Sequence, residues 1–249
     1  MKTAEFSLRF PGSEAGIKTQ AEEYCIIEQD GHERRIRLHD YHEIYAIPGL
    51  YEKIFCERLK YRSPEVVTRL LIEEVKKSLT PVSELAVLDM GAGNGIVGEI
   101  LRQRGAPLIV GIDIFPEAAE AAQRDRPGVY DHYYIEDLQN LSSSTRKKLE
   151  AKGFNCLITV GALGFGDIPS PAFVEGYNLI VDHGWIAFNI KEDFLEQGDS
   201  TGFSHIVKGM ADRDVLDIKV KHRYCHRITV DGRPLYYVAV IGEKKASIP

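Results

Sequence analysis

The chain has 249 residues, of which 44% are hydrophobic and 27% are charged, and its formal net charge at pH 7 is −6. This composition is typical of a globular protein with a large apolar core, and the negative charge argues against nonspecific nucleic-acid binding, which depends on a basic surface. The four scattered cysteines form no Cys-x-x-Cys pair and the first residues lack the apolar run of a signal peptide, so we expect a reduced, cytoplasmic protein without a membrane span.

The first 62 residues are predicted to form a segment of their own. Strand-forming runs flank Asp30-Gly31, and because this dipeptide favours tight hairpin turns, residues 22–38 are predicted to form a β-hairpin. An aromatic-rich stretch follows, from Tyr41 to Tyr61. We therefore expect an N-terminal hairpin and helical lid in residues 1–62 and one main domain in residues 63–249.

The main domain begins with a predicted helix. Ser63 is expected to be its N-cap and Pro64 its first helical residue, and Thr80-Pro81 is expected to end it. From residue 85 onward, short apolar strands alternate with helices. This alternation predicts an α/β fold with a doubly wound, mostly parallel sheet that is covered on both faces.

The end of the chain departs from this alternation. Two extended runs joined by Asp231-Gly232 predict an antiparallel hairpin at the C-terminal edge of the sheet. The basic residues between Lys219 and Arg227 are expected to form a strand face in contact with water.

A glycine-rich turn, LDMGAGNGIVG at residues 88–98, lies between a predicted strand and a predicted helix. Read as Gly93-x-Gly95-x-x-Gly98, it is the fingerprint of a loop that binds a dinucleotide pyrophosphate. Read from Asp89, it is D-x-G-x-G-x-G. In both patterns, backbone N–H groups of the turn face the ligand. Both patterns also require an acid at the end of the next strand to bind the ribose hydroxyls, and Asp113 is that acid.

Asp89 distinguishes these two interpretations. A carboxylate beside the glycines would repel a pyrophosphate. It would favour a ligand that carries a cationic amino group and no phosphate, such as S-adenosylmethionine. We therefore expect an ammonium group of the ligand to lie near Asp89.

On these residues the sequence resembles the class I S-adenosylmethionine-dependent methyltransferases, over residues 60–245. The matching motifs are residues 87–95, 110–114, 134–138 and 154–163, in the family's order. The resemblance implies a Rossmann-like, seven-stranded sheet with a C-terminal antiparallel hairpin, S-adenosylmethionine as cofactor and S-adenosylhomocysteine as product. Two segments depart from the pattern: the turn His183-Gly184-Trp185 has one glycine instead of two, and residues 38–45 only loosely match the family's lid.

The resemblance also implies a set of cofactor-binding residues. Asp113 would bind the ribose, Ile114 would pack on adenine, Glu136 and Asp137 would bind the adenine amino group, and residues 161–163 would border the reacting methyl. The complete predicted set is Asp89, Gly91, Ala92, Gly93, Asn94, Gly95, Asp113, Ile114, Glu136, Asp137, Leu138, Gly161, Ala162, Leu163 and Tyr45.

The catalytic residue is not fixed by the sequence, because methyl transfer needs a base only when the acceptor is protonated. The candidates are Tyr41, Tyr45 and Asp167. The two tyrosines are four residues apart, so a helix would place them on one face, either as a lid over the cofactor or as core aromatics. Asp167 is either a general base or the cap of the helix near Pro169. Further acceptor-side candidates are His39, His42, Tyr51 and Phe165.

No metal site is predicted, because the pairs His39/His42 and His222/His226 lack a third ligand at suitable spacing. Residues 161–165 lack the Asn/Asp-Pro-Pro-aromatic run of nucleobase methyltransferases, so we expect a small-molecule acceptor, with a homodimer as an open alternative to a monomer. Two other functions stay open: an NAD-dependent oxidoreductase and a non-catalytic, cofactor-binding member of the fold.

Overall fold

The computed structural model describes residues 6–12, 16–78, 81–164, 167–195 and 202–248, and within these ranges it contains two β-sheets. The smaller sheet is antiparallel, with the order β1 (Ser7–Arg9), β2 (Tyr24–Gln29) and β3 (His32–Arg37). Asp30 and Gly31 join β2 to β3 with φ angles of 52° and 76°. The predicted hairpin is therefore confirmed.

Two helical elements follow this hairpin. Helix α1 spans Tyr41–Ala46, and a π-helical segment spans Glu52–Arg58. Helix α1 packs against the α4 helix of the main domain, Pro116–Asp125. The predicted division of the chain at residue 62 stays a prediction.

The remaining elements of the described residues alternate as the sequence predicts. The strands are β4 (Ala86–Met90), β5 (Leu108–Asp113), β6 (His132–Ile135), β7 (Cys156–Thr159), β8 (Trp185–Lys191), β9 (Leu216–Ile228) and β10 (Pro234–Lys244). The other helices are α2 (Ser63–Lys77), α3 (Ile96–Gln103), α5 (Ser143–Glu150), α6 (Ser170–Asn178) and α7 (Phe203–Asp212). Short 3₁₀ turns span Gln20–Glu22, Val82–Glu84, Leu138–Asn140 and Glu192–Leu195.

The larger sheet has seven strands in the order β6-β5-β4-β7-β8-β10-β9. Strands β4 to β8 pair in parallel, whereas β10 runs antiparallel to both β8 and β9. The predicted α/β fold with its C-terminal antiparallel hairpin is confirmed. Because β4 pairs with β5 on one side and β7 on the other, the strand order reverses at β4, and a crevice is expected beyond the carboxyl ends of these three strands.

Both faces of this sheet are covered by apolar side chains. Successive residues of a strand point to opposite faces. Accordingly, Leu88 and Leu157 belong to one buried cluster, and their neighbours Val87 and Ile158 belong to the other. Because both faces of the sheet are covered, nearly every residue of these strands is apolar.

Ser63 does not cap α2, contrary to the sequence-based prediction. The helix begins at Ser63, Arg62 occupies the N-cap position, and no side chain caps the helix there. The Ser63 hydroxyl is completely buried and lies 2.7 Å from His226 Nδ1 on β9. A hydrogen bond to a distant strand has thus replaced the local one that the sequence suggested.

The basic strand face is only partly exposed. Lys219, Lys221 and Arg223 are exposed on β9, but His226 and Arg227 at its end are buried. Arg227 donates a hydrogen bond to Glu23, which is 1% exposed and also accepts one from the Val230 amide at 2.7 Å. This ion pair connects the N-terminal segment to the end of the large sheet.

Replacing Arg227 by methionine is expected to destabilise the protein by about 3–5 kcal/mol, because the buried Glu23 carboxylate would lose its partner. Urea denaturation at pH 7 measures this loss. Arg9→Met is the control, since it breaks the exposed pair of Arg9 with Glu33 and should leave the free energy of unfolding nearly unchanged. The double variant Glu23→Gln/Arg227→Met should recover part of the loss. If Arg227→Met and Arg9→Met lowered the free energy of unfolding equally, the buried pair of Arg227 with Glu23 would not have the stabilising role assigned to it.

Candidate functional site

A cavity of about 240 Å³ lies at the carboxyl ends of β4, β5 and β7. Its walls come from the glycine-rich turn after β4, the ends of β5 and β6, the loop after β7, and the aromatic residues of the N-terminal segment. Residues predicted from the sequence that line it are Tyr41, Tyr45, Tyr51, Gly91, Ala92, Gly93, Asn94, Asp113, Ile114, Glu136, Asp137, Leu138, Gly161, Ala162 and Asp167. The fold thus brings most of the predicted cofactor set to one cavity.

The glycine-rich turn is packed on both sides, which explains why it contains glycine. Gly91 and Gly93 have φ angles of 71° and 53°, a region that residues with a side chain rarely adopt. A Cβ atom on Gly91 would lie 2.9 Å from Ala162 Cβ, and one on Gly93 would collide with the Tyr45 hydroxyl. Gly91 therefore fits against the loop after β7, and Gly93 against helix α1, because neither residue has a side chain.

Asp113 ends β5 at the wall of the cavity, where the sequence predicts a ribose-binding acid. Its carboxylate accepts hydrogen bonds from the Gly93 amide at 3.0 Å and from the Phe115 amide at 3.1 Å. Burial raises the pKa of Asp113, although these amides act in the opposite direction. The carboxylate therefore connects β5 to the glycine-rich turn, and its contact with ribose stays a prediction.

Three predicted cofactor residues do not line this cavity. Gly95 is the N-cap residue of α3, and Leu163 lines a second, smaller cavity. The Asp89 carboxylate is 1% exposed and accepts a hydrogen bond from the Tyr130 hydroxyl at 2.7 Å. The geometry therefore gives Asp89 a protein partner behind the glycine-rich turn, and it does not support the expected contact with an ammonium group.

Asp89 makes the stability of the protein depend on pH. Burial raises its pKa from 3.8 to about 7. Between these two values the folded state binds the proton more tightly than the unfolded state. The free energy of unfolding therefore falls by about 1.4 kcal/mol for each pH unit as the pH rises from 4 to 7.

Asp89→Asn should abolish this dependence while it keeps an oxygen for Tyr130. We expect the variant to gain stability over the wild type progressively between pH 4 and 7, with a constant advantage above pH 8, in urea unfolding at each pH. Asp131→Asn is a control of opposite sign, because the pKa of Asp131 is lowered by the Ile109 amide and Arg102 despite partial burial. A stability difference for Asp89→Asn that does not change with pH would refute this account.

Helix α1 presents Tyr41 and Tyr45 on one face, as their spacing predicts. Their rings stack with centroids 6.0 Å apart, and Tyr45 also stacks on Tyr51 at 5.4 Å. Burial raises the pKa of the Tyr41 and Tyr45 hydroxyls, so both stay protonated at neutral pH. These tyrosines can therefore form a wall and donate hydrogen bonds, but they are poor candidates for a base.

Asp167 pairs with a residue that the sequence could not connect to it. Its carboxylate lies 3.2 Å from Nδ1 of His39, 128 residues earlier in the chain. Helix α6 has Pro169 at its N-cap position and no side-chain cap, so the capping alternative for Asp167 is wrong. His42, the predicted partner of His39 in a metal pair, is exposed and lies near Phe115. Phe165 lies outside the described residues.

The two acids after β6 have local partners. Asp137 caps the 3₁₀ turn Leu138–Asn140 by accepting a hydrogen bond from the Gln139 amide at 2.9 Å. Glu136 accepts one from the Thr145 hydroxyl at 3.1 Å. Both still line the cavity, so their predicted contact with an adenine amino group stays a prediction.

A buried polar network holds the loop after β7. Asn189 on β8 accepts a hydrogen bond from the Gly161 amide at 2.7 Å. Its own amide donates to the Ser63 hydroxyl at 3.1 Å and to the Tyr224 hydroxyl at 2.7 Å. Local sequence patterns do not indicate this network, because its members come from α2, β8, β9 and the loop after β7.

In the described residues, the helices fall short of the length and apolar character that a bilayer span requires. The same residues contain no group of three or more histidine, cysteine, aspartate or glutamate side chains placed to hold a metal ion.

Comparison with known proteins gives short sequence matches and broader structural ones. No protein-family model matches the chain. The ribosomal protein L11 methyltransferase of Burkholderia ambifaria is 43% identical over 58 residues, and that of Paraburkholderia phytofirmans is 41% identical over 58 residues. Both matches cover 23% of this chain and 19% of the other protein, so the chain spans about a fifth of the length of the curated relatives it matches.

The structural similarity extends over most of the chain. Magnesium protoporphyrin IX methyltransferase from Synechocystis PCC 6803 with bound SAM has a TM-score of 0.51 at 18% identity, over 73% of this chain and 79% of that one. The same protein with bound SAH has a TM-score of 0.51 at 15% identity, over 73% and 83% of the two chains. At this identity the likeness concerns the fold. The chain has the fold of the class I S-adenosylmethionine-dependent methyltransferases.

Proposed function

We propose that this chain is an S-adenosylmethionine-dependent methyltransferase that releases S-adenosylhomocysteine. The observation that carries the proposal is one cavity lined both by the positive-φ glycines of the turn after β4 and by the half-buried Asp113 at the end of β5. Strand β10, antiparallel to β8 and β9, agrees with the methyltransferase fold. The magnesium protoporphyrin IX methyltransferase with the same fold binds SAM in one structure and SAH in another.

The residues of the cavity fit the parts of this cofactor. Asp113 offers a carboxylate to the ribose hydroxyls. Ile114 is 53% exposed and can pack on adenine, beside the polar side chains of Glu136 and Asp137. Gly91 and Gly93 have no side chain, so their backbone can come close to the methionine portion. When bound, the cofactor supplies an electrophilic methyl group on a sulfonium.

The role of the protein is then to align the acceptor with that methyl and to exclude water. Tyr41, Tyr45, Tyr51 and Tyr61 line the cavity with aromatic rings. Aromatic faces attract a cation, so such a wall suits a positively charged sulfonium better than water would. We propose that the segment of residues 1–62 acts as a lid over the cavity. Its four tyrosines are the part of the lid that would contact the cofactor and the acceptor.

We propose a small molecule as the acceptor. The second cavity is narrow and enclosed by the N-terminal segment, which favours a small group over a folded polypeptide. The net charge of −6 disfavours nucleic acid. The L11 methyltransferases act on a ribosomal protein by name, but the similarity to them is confined to 58 residues.

Incubation of a cell extract with the protein and methyl-labelled cofactor, followed by untargeted mass spectrometry, tests this function. We expect a labelled small molecule that heat-inactivated protein does not produce. Label in a protein or RNA fraction alone would contradict the small-molecule acceptor. Tight cofactor binding without any labelled product would instead support a non-catalytic member of the fold.

A further inference from the structure

A second cavity, of about 20 Å³, adjoins the large one. The residues that line both cavities are Tyr41, Tyr51, Tyr61, Gly161 and Asp167. Gly161 belongs to the loop after β7, which would border the reacting methyl. A space of this size holds one group about as large as a water molecule. The small cavity therefore suits a single polar group of an acceptor whose remainder lies in the large cavity.

His226 lines the small cavity as a neutral imidazole. The residue is 5% exposed, and burial, assisted by the charge of Arg227, lowers its pKa far below the usual range. A neutral imidazole has one N–H donor and one nitrogen lone pair. The position of the hydrogen therefore decides what His226 offers to a ligand.

A buried network around Ser63 determines this position. Ser63 Oγ accepts hydrogen bonds from Asn189 Nδ2 at 3.1 Å and from the Tyr224 hydroxyl at 2.7 Å. Both lone pairs of the serine oxygen are then used, so its own hydrogen points to His226 Nδ1, 2.7 Å away. The imidazole hydrogen is therefore on Nε2. Within the described ranges of the chain this ring hydrogen-bonds to Ser63 alone, so the Nε2–H is left for a ligand.

Packing holds the imidazole in one orientation beside the loop after β7. The ring stacks on Tyr237 with centroids 3.7 Å apart, and the Tyr61 ring meets it edge-on at 5.0 Å. A Cβ atom on Gly161 would lie 3.7 Å from His226 Cε1. Asn189, which binds Ser63, also accepts the hydrogen bond of the Gly161 amide. One network thus positions both the donor and the loop that would border the methyl.

The charges around the two cavities favour an uncharged ligand atom opposite this donor. Four carboxylates line the large cavity: Asp113, Glu136, Asp137 and Asp167. The described residues of its wall include no lysine, arginine or histidine, and Arg227 on the small cavity is already paired with Glu23. A carboxylate or phosphate of the acceptor would be repelled by these like charges. An ammonium group would place its hydrogens against the Nε2–H.

We infer that the small cavity binds one uncharged oxygen of the methyl acceptor, a hydroxyl or carbonyl oxygen, and that His226 is the specificity-determining residue that donates a hydrogen bond to it from Nε2. This inference rests on the proposed function. His226 binds the acceptor and transfers no proton in this role. Ser63 acts through His226 as a positioning residue.

The tautomer can be observed without any reaction. In nitrogen-15 NMR of histidine-labelled protein with S-adenosylhomocysteine, we expect His226 to be neutral at pH 6 and at pH 8, with its hydrogen on Nε2. Ser63→Ala removes the hydroxyl that donates to Nδ1 and should give a mixture of tautomers. The signal of His226 is assigned by its loss in His226→Phe. A wild-type His226 with its hydrogen on Nδ1, or a charged one at pH 6, would overturn the inference.

The second measurement uses the acceptor identified in the labelled extract. His226→Phe keeps a ring against Tyr237 but removes the N–H donor. We expect the KM for the acceptor to rise about tenfold or more, because one buried hydrogen bond is lost, and the affinity for S-adenosylhomocysteine to change less than about twofold. His222→Phe, at an exposed position of the same strand, is the matched control and should keep the wild-type KM.

Analogues of the acceptor test the same hydrogen bond in the unaltered protein. We expect one analogue, with a single oxygen replaced by hydrogen, to bind the wild type about tenfold or more weakly than the acceptor does. The same analogue should bind His226→Phe no more weakly than the acceptor binds this variant. If the losses from the variant and from every such analogue add up, the oxygen does not bind His226.

The outcomes separate the two proposals. A wild-type protein that does not bind S-adenosylhomocysteine refutes the proposed function. A protein that binds it and methylates a compound without oxygen refutes the oxygen subsite alone. So does a crystal structure of the acceptor complex in which a water molecule fills the small cavity.

Discussion

Replacing Asp113 by alanine is expected to weaken binding of S-adenosylhomocysteine by about 100-fold or more. The carboxylate lies at the wall of the cavity, and hydrogen bonds to a charged group contribute about 1.5–3 kcal/mol each. Two such bonds to the ribose hydroxyls are together worth about 3–6 kcal/mol, or at least two factors of ten in affinity. Isothermal titration calorimetry measures the difference directly.

Asp113→Asn gives the graded comparison for this prediction. The asparagine keeps an oxygen that can accept from the Gly93 amide but loses the charge, so its affinity should lie between those of alanine and the wild type. Glu120→Gln removes an equal charge from the exposed side of α4 and should leave the affinity unchanged. Thermal unfolding verifies that each variant is folded. Wild-type affinity in Asp113→Ala would show that the ribose is not bound here.

Gly93→Ala is the second change with a large expected effect, a loss of about 5- to 150-fold in affinity for S-adenosylhomocysteine. The new methyl would collide with the Tyr45 hydroxyl, and overpacking of this kind costs about 1–3 kcal/mol. The collision would push the glycine-rich turn and helix α1 apart, and both of these segments line the cavity. Binding should therefore suffer more than overall stability.

Gly105→Ala separates crowding from backbone strain. Gly105 has a φ of 96°, but a Cβ there would meet no atom within 4 Å. Its replacement should affect stability alone. Combining Gly93→Ala with Tyr45→Phe removes the oxygen that collides and should restore part of the affinity. If the double variant binds no better than Gly93→Ala, the crowding explanation is wrong.

Local patterns in the sequence were sufficient to predict the fold. The Asp30-Gly31 hairpin, the alternation of strands and helices and the terminal antiparallel pair all depend on residues close together in the chain. The glycine-rich turn and Asp113 were predictable for the same reason, because adjacent parallel strands end at the same edge of a sheet. Their meeting in one cavity follows from the strand order.

The sequence could not reveal the contacts between distant elements. His39 and Asp167 are separated by 128 residues, and nothing near either indicates the other. Ser63 was predicted to be a helix cap because serine before proline is often one. In the structure its hydroxyl is instead hydrogen-bonded to the buried His226. Asp89 was expected to face a ligand, and the Tyr130 hydroxyl is its actual partner.

The buried environment of Asp89 changes how the loop sequence is understood. At neutral pH its raised pKa leaves this carboxyl partly protonated, so it is a weaker source of negative charge than an exposed aspartate. Asp113, by contrast, lines the cavity, where its carboxylate accepts a hydrogen bond from the Gly93 amide. We therefore propose that Asp113 and the glycine-rich turn, and not Asp89, select the cofactor.

The most direct test of the account is calorimetric titration of the wild-type protein with S-adenosylhomocysteine and, separately, with NAD. We expect saturable binding of one molecule of S-adenosylhomocysteine per chain and no measurable heat with NAD. Binding of NAD, without a response to S-adenosylhomocysteine, would contradict the assignment of this cavity to a methyl donor.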